Sequence, residues 1–232
     1  MPLKAVLFDF NGVILDDEQI HHQIVADLMR QEQFTLSQED VQHYCVGRTD
    51  RACFHDLFAL QGQPISEFRL RRLLKVKAKI YRQHLETLDK LPLFPGLMEL
   101  LTQIQAAQLK LAIVSGALRA DIRAVLKRLS LDSIFPVVVA AEDVKASKPD
   151  PSGYQLAMKR LNRQHPGLNL SASDCLAIED SFAGIQAAKQ AQISVVGVAH
   201  TFPFHMIQRQ ANWAIDYLDQ LELDRIQAVF NR

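Results

Sequence analysis

Residues 5–13 read Ala-Val-Leu-Phe-Asp-Phe-Asn-Gly-Val, an apolar run that stops on Asp9, with Asn11 and Gly12 close behind. Further along, Ser115-Gly116, Lys148 (within Ser-Lys-Pro-Asp-Pro) and Glu179-Asp180 follow other apolar runs in the same way. A carboxylate presented at the tip of a buried strand can act as a nucleophile or hold a metal. Asp9 can accept a phosphoryl group as an aspartyl phosphate. Asp9 and Asp180 together suit Mg²⁺, a hard cation that prefers oxygen ligands, and the Asn11 backbone carbonyl can join them without its side chain. The Ser115 hydroxyl, backbone N–H groups near Gly12 and Gly116, and the Lys148 ammonium can hold the non-bridging phosphate oxygens. Catalysis would then be mostly positioning and charge neutralisation. Taken singly, each residue also fits a helix cap, a turn or a solvated loop. Their order and common placement point to a site.

Elements that end together must present these residues. Residues 4–10, 110–115, 137–141, 174–179 and 194–199 are short runs rich in Val, Ile, Leu and Ala, as buried parallel strands are, and 212–215 adds a shorter one. Helical patterns lie between them at 96–108, 117–129, 151–161 and 182–191. Pro95 and Pro151 stand where a first turn tolerates proline, and Ser181 can cap the helix after Asp180. Strands alternating with helices predict an α/β fold with a doubly wound parallel sheet. Residues 16–89 show no strand but three or four helical patterns, with Ile24, Leu28 and Met29 on one face of the first and Leu70, Leu73, Leu74 and Lys77 striping the last. The expected organisation is a catalytic core of residues 1–15 and 90–232 with a helical cap of 16–89, the chain returning through the proline-bearing stretch 89–95.

Composition narrows the partners. Lys+Arg and Asp+Glu are equal at 26 each, so no overall field favours nucleic acid or an anionic membrane surface. No apolar run approaches a membrane span, and the N-terminal one is broken by Asp9. Cys45, Cys53 and Cys175 are odd in number and lack metal-type spacing, which predicts free thiols and a cytoplasmic location rather than a disulfide framework. A monomer is the default expectation.

Asp9-Phe-Asn11-Gly12-Val, Ser115, Lys148-Pro and Glu179-Asp180 resemble, in order, the four motifs of the haloacid dehalogenase superfamily, over nearly the whole chain. Ile178-Glu179-Asp180-Ser181-x-x-Gly184-Ile185 is similar to the branch containing β-phosphoglucomutase and small-metabolite phosphatases, and the helical insert resembles that branch's cap. The resemblance implies a Rossmann-like core and a Mg²⁺-dependent phosphatase acting on a small phosphorylated metabolite. It implies Asp9 as nucleophile and metal ligand, Asp180 as ligand, Glu179 as accessory ligand or orienter, and Ser115 and Lys148 as phosphate binders. A sugar-phosphate mutase and a phosphate-ligand binder without turnover are the alternatives.

Asn11 departs from the pattern, since the family carries at this position an Asp that protonates the leaving oxygen and deprotonates the attacking water. An amide does neither, and such catalysis is worth about 10²–10⁴-fold. Either the acid comes from elsewhere, with His21, Asp17 and Glu18 as candidates, or Asn11 is a trapping substitution, a deamidating Asn-Gly pair, or a mark of lost turnover. In the cap, 46–51 resembles the family's specificity turn, where Arg48 or Arg51 can meet a second anionic group on the substrate. Asp50 stands where a mutase of this branch carries an arginine, which weighs toward a hydrolase. The basic run from Arg69 to Lys79 reads as a solvated helix face.

Overall fold

The computed structural model describes residues 2–231. Its sheet is six-stranded and wholly parallel, in the order β3-β2-β1-β4-β5-β6, from β1 (Ala5–Phe8), β2 (Lys110–Val114), β3 (Val137–Val139), β4 (Cys175–Glu179), β5 (Ser194–Val198) and β6 (Trp213–Ile215). Successive side chains of a strand point to opposite faces. Val6, Phe8, Leu111, Ile113, Leu176 and Ile178 therefore join the core on one face. Ala5, Leu7, Ala112, Val114, Cys175 and Ala177 join the core on the other. All are buried, which is why these strands read as continuous apolar runs rather than alternating ones.

Strand order reverses between β1 and β4, and ligand sites in such sheets lie at that switch, outside the carboxyl ends. The register pairs Phe8 with Ile113 on one side and with Ile178 on the other. Residues just beyond those pairs, Asp9, Ser115, Glu179 and Asp180, therefore emerge at one edge.

Of the helices between β1 and β2, the first four form a layer of their own: α1 (Glu18–Gln31), α2 (Gln38–Cys45), α3 (Asp50–Leu60) and α4 (Glu67–Thr87). Ser37, Thr49 and Ser66 accept hydrogen bonds from the backbone of the first turns of α2, α3 and α4, which satisfies N–H groups that the helices themselves leave unpaired. Ile24, Leu28 and Met29 of α1 and Leu70, Leu73 and Tyr81 of α4 are buried, in an apolar cluster continuous with one face of the sheet. The chain enters and leaves this helical layer through adjacent segments. Leu15 bridges Leu93, Asp16 N–H donates to the Pro92 carbonyl at 2.8 Å, and Phe94 N–H donates to that of Ile14. The sheet is completed by α5 (Leu97–Ala106), α6 (Arg119–Arg128), α7 (Ser152–Gln164), α8 (Phe182–Gln190), α9 (Phe204–Ile207) and α10 (Leu223–Phe230).

The cysteines depart from expectation. Cys45, ending α2, and Cys53, in α3, form a disulfide across a separation of 8 residues, and Cys175 alone is free and buried. Spacing along the chain did not reveal this pairing, because a tight turn between two helices folds the positions onto each other. Among the described residues no helix is long and apolar enough to cross a membrane.

Candidate active site

Three buried carboxylates and one buried ammonium meet at the strand edge. Lys148 Nζ lies 2.8 Å from Asp9 Oδ2 and 2.7 Å from Glu179 Oε1. Burial opposes its charge, but Asp9 and Glu179 outweigh that and raise the ammonium above the ordinary lysine range. Asp9 Oδ1 accepts from Phe10 N–H at 2.7 Å. Glu179 is fully buried, receives the Tyr154 hydroxyl on the oxygen that faces Lys148, and leaves no room for a side chain at Gly184. These contacts make it the anchor that orients Lys148. Burial, and next the charge of Asp9, push the Glu179 carboxyl well above its usual range.

Asp180 differs in having an unused atom. Its Oδ2 accepts from Thr201 Oγ1, and its Oδ1 is buried without a partner. Burial, then Asp9, raise its carboxyl to about 7. Carboxylate oxygens of Asp9, Glu179 and Asp180 all lie within 4.8 Å of one another. An orphaned carboxylate oxygen beside two further acids at that spacing suits a hard divalent cation and little else. The residues present therefore fit Mg²⁺.

Gly12 is held by the same geometry. Its φ is +77°, and a Cβ there would fall 2.0 Å from Asp180 Oδ2, so the first loop approaches the second acid closely only with glycine. The Gly12 N–H itself donates to the Leu15 carbonyl at 2.9 Å. The Gly12 carbonyl accepts from His200, whose ring stacks on Phe94. Ser115 is buried with its hydroxyl accepting from Ala117 N–H at 3.0 Å, and both Ser115 and Gly116 line the cleft.

The Asn11 side chain turns toward the cap. Its amide nitrogen lies 2.8 and 2.7 Å from the two oxygens of Asp17, and 3.1 Å from His21 Nε2. Asp17 is 1 % exposed and also accepts from Tyr81 Oη at 2.5 Å and meets His21 Nε2 at 3.0 Å. Burial works against its ionisation, yet His21, Tyr81 and Asn11 together hold the carboxyl below the ordinary range. Asp17 is thus a saturated acceptor rather than a proton donor. Glu18 lines the same cleft. Burial first, then Asp180, Asp17 and Asp9, raise its carboxyl well above the usual value, the opposite direction from Asp17.

The cap turn docks on the core through close backbone contacts. Gly47 has φ +71°, and a Cβ on it would meet Ser181 Oγ at 2.1 Å. The Arg48 carbonyl sits where a Cβ on Gly116 would be, and Thr49 N–H donates to Ser147 Oγ at 2.8 Å. Arg48 and His21 line the cleft, as expected. Arg51 does not: it forms a two-pronged ion pair with Glu67 at 2.9 Å, half exposed and away from these residues. Lys77 also departs from the solvated face assigned to its basic run. It is 3 % exposed, pairs with Asp50 at 2.8 Å and meets His21 Nδ1. Its place on the Leu70–Leu73 stripe was the available signal. No pattern marked Tyr81, Tyr154, His200 or Thr201, which act through folded contacts only.

A model for haloacid dehalogenase-like hydrolases matches residues 6–198. The chain belongs to that family. Protein CbbY of Rhodobacter capsulatus is 30% identical to it over 203 residues, covering 84% of this chain and 85% of that protein. A phosphorylated carbohydrates phosphatase of Thermotoga maritima is 28% identical over 201 residues, covering 86% and 87%. The crystal structure of β-phosphoglucomutase from Clostridium difficile superposes with a TM-score of 0.85 over 99% of this chain and 97% of that one, at 24% identity, and establishes the common fold.

Two predictions follow from the acids. Replacing Asn11 by Asp would set a carboxylate oxygen where the amide nitrogen now lies against both Asp17 oxygens. Asn11→Asp alone should lower stability at neutral pH by about 1–3 kcal/mol, and adding Asp17→Thr should recover most of it. Denaturant titration of both variants checks this; an N11D protein as stable as the parent would dissolve the Asn11–Asp17 contact. The second concerns Asp180, whose carboxyl titrates near 7 when folded against an ordinary 3.8. The folded state binds the extra proton, so this contribution is fully present below about pH 4 and is lost as pH rises through about 7. The metal-free protein should melt lower at about pH 8 than at about pH 5, and Mg²⁺ should raise the melting temperature more at the higher pH. An Mg²⁺ effect equal at both pH values would count against these acids as its site.

Proposed function

We propose that this protein is a Mg²⁺-dependent phosphatase that hydrolyses a small phosphorylated metabolite through an aspartyl phosphate on Asp9. The observation that carries the reading is the pairing of Asp9 with buried Lys148 beside the unused oxygen of Asp180. The named relatives, one of them a phosphorylated carbohydrates phosphatase, support a phosphorylated sugar or similar substrate.

Asp9 and Asp180 would hold the metal, with the Asn11 backbone carbonyl as a third oxygen and Glu179 fixing Lys148 from behind. When bound, Mg²⁺ would neutralise part of the phosphoryl charge and align it with Asp9. Lys148 offsets repulsion between the anionic nucleophile and the anionic ester, and Ser115 holds a phosphoryl oxygen. Asp9 attacks phosphorus, and the bond to the leaving oxygen breaks. Glu18 gives that oxygen its proton, in the role that Asn11 cannot fill. The resulting Glu18 carboxylate then takes a proton from the water that attacks the phosphoenzyme, releasing phosphate and restoring Asp9. The cap closes over the leaving group and keeps other water out.

Asp9→Asn should abolish phosphate release from a panel of sugar phosphates with Mg²⁺ present; unchanged release would remove Asp9 as nucleophile. Glu18→Gln should slow hydrolysis of alkyl phosphates by about 10²-fold or more while sparing p-nitrophenyl phosphate, whose leaving group needs no proton. Equal losses on both substrates would assign the proton elsewhere.

A further inference from the structure

At its cap end, the cleft contains cations, but each is already matched by an anion. Lys77 lies 2.8 Å from Asp50 Oδ1. Arg48 Nη2 lies 2.7 Å from Asp56 Oδ2, with Nη1 donating to the Tyr44 carbonyl at 3.2 Å. Arg82, just outside, pairs with the cleft residue Asp121 at 2.5 Å. His21 sits between Asp17 and Lys77. Among the described residues lining that end, none is a lysine or arginine without an acidic partner, and Glu18 adds a further carboxyl. Arg51, the other arginine of the specificity turn, is held outside by Glu67. A second anionic group on a substrate would find no free positive charge there and would face the carboxylates of Asp50 and Asp121. The groups left to bind are hydrogen-bonding ones whose charge is already matched: the Nε donor of the Arg48 guanidinium, paired with Asp56, is buried and unpartnered, and the imidazole of His22, 3.4 Å from Glu18, lines the wall.

Resting on the phosphatase reading above, we infer that the substrate is a phosphate monoester whose leaving group carries hydroxyls and no second negative charge, and that Asp50 sets this preference by neutralising Lys77. Asp50 therefore acts less by direct repulsion than by occupying the one buried lysine able to grip a distal anion. A like-charge mismatch in such a cleft is strongly discriminating, because the partners are desolvated.

Binding and turnover should be measured separately on three probes: a hexose 6-phosphate, the matching hexose 1,6-bisphosphate and 2-phosphoglycolate. Calorimetry with Mg²⁺ and the turnover-silent Asp9→Asn protein should show the hexose monophosphate bound about tenfold or more tightly than either doubly functional anion. Asp50→Asn in that background should narrow the gap about tenfold by tightening the bisphosphate, and Asp50→Asn/Lys77→Met should lose that gain. A bisphosphate bound as tightly as the monophosphate by the Asp9→Asn protein would overturn the inference, as would an Asp50→Asn gap equal to the parent's. So would a gain that survives loss of Lys77. Should Asp50→Asn fail to fold, Lys77→Met alone decides: the monophosphate preference persists if Lys77 is already spent, and the idea falls if bisphosphate binding drops with it. Failure of the phosphatase reading looks different. The monophosphate preference would hold in binding while the unmodified enzyme released no phosphate from any probe; absence of binding by all three would reject both.

Discussion

The ammonium of Lys148, out of water between Asp9 and Glu179, is the constraint around which this edge of the sheet is organised. Three acids on adjacent strand ends would repel one another if left alone in a desolvated place, and their carboxyls would simply hold protons. One cation fixed at 2.7–2.8 Å from two of them offsets that repulsion and leaves the third with an oxygen to spare. The arrangement needs exact strand order: β1 must lie between β2 and β4, so that residues more than a hundred positions apart arrive at one rim. Tyr154, reaching from α7 to Glu179, and Thr201, reaching from beyond β5 to Asp180, tie two further segments to that rim.

Asn11 and Asp17 are best understood as a pair. An acid two residues beyond the strand-end aspartate is the family's usual device, and here that position carries an amide donating to a carboxylate six residues on. That carboxylate is also held by Tyr81 and His21, which with Asn11 keep it below the ordinary range against its burial.

Much of this was legible in the chain. Strand runs, helix patterns and caps gave the alternation, because buried parallel strands and capped amphipathic helices carry local signatures. The acids, serine and lysine at strand ends were visible for the same reason. What stayed hidden depends on contacts between elements. Lys77 lay on an apolar stripe inside a basic run, and its burial required Asp50 from another helix. Gly12 N–H gave no sign of its partner, because the backbone bridge to Leu15 leaves no mark in residue types. Arg51 and Arg48 are equivalent by spacing, and only their partners, Glu67 and Asp56, separate them. Cys45 and Cys53 became neighbours through the fold of one turn.

That covalent link has a mechanical meaning. It closes a ring around residues 46–52, the stretch whose Gly47, Arg48 and Thr49 rest on Ser181, Gly116 and Ser147. With α2 and α3 stapled together at this point, the contact strip cannot peel away while its helices stay put. The strip and its two helices thus form one covalently closed unit, joined to the sheet through the paired segments around Leu15 and Leu93, which are the two crossings between layer and sheet.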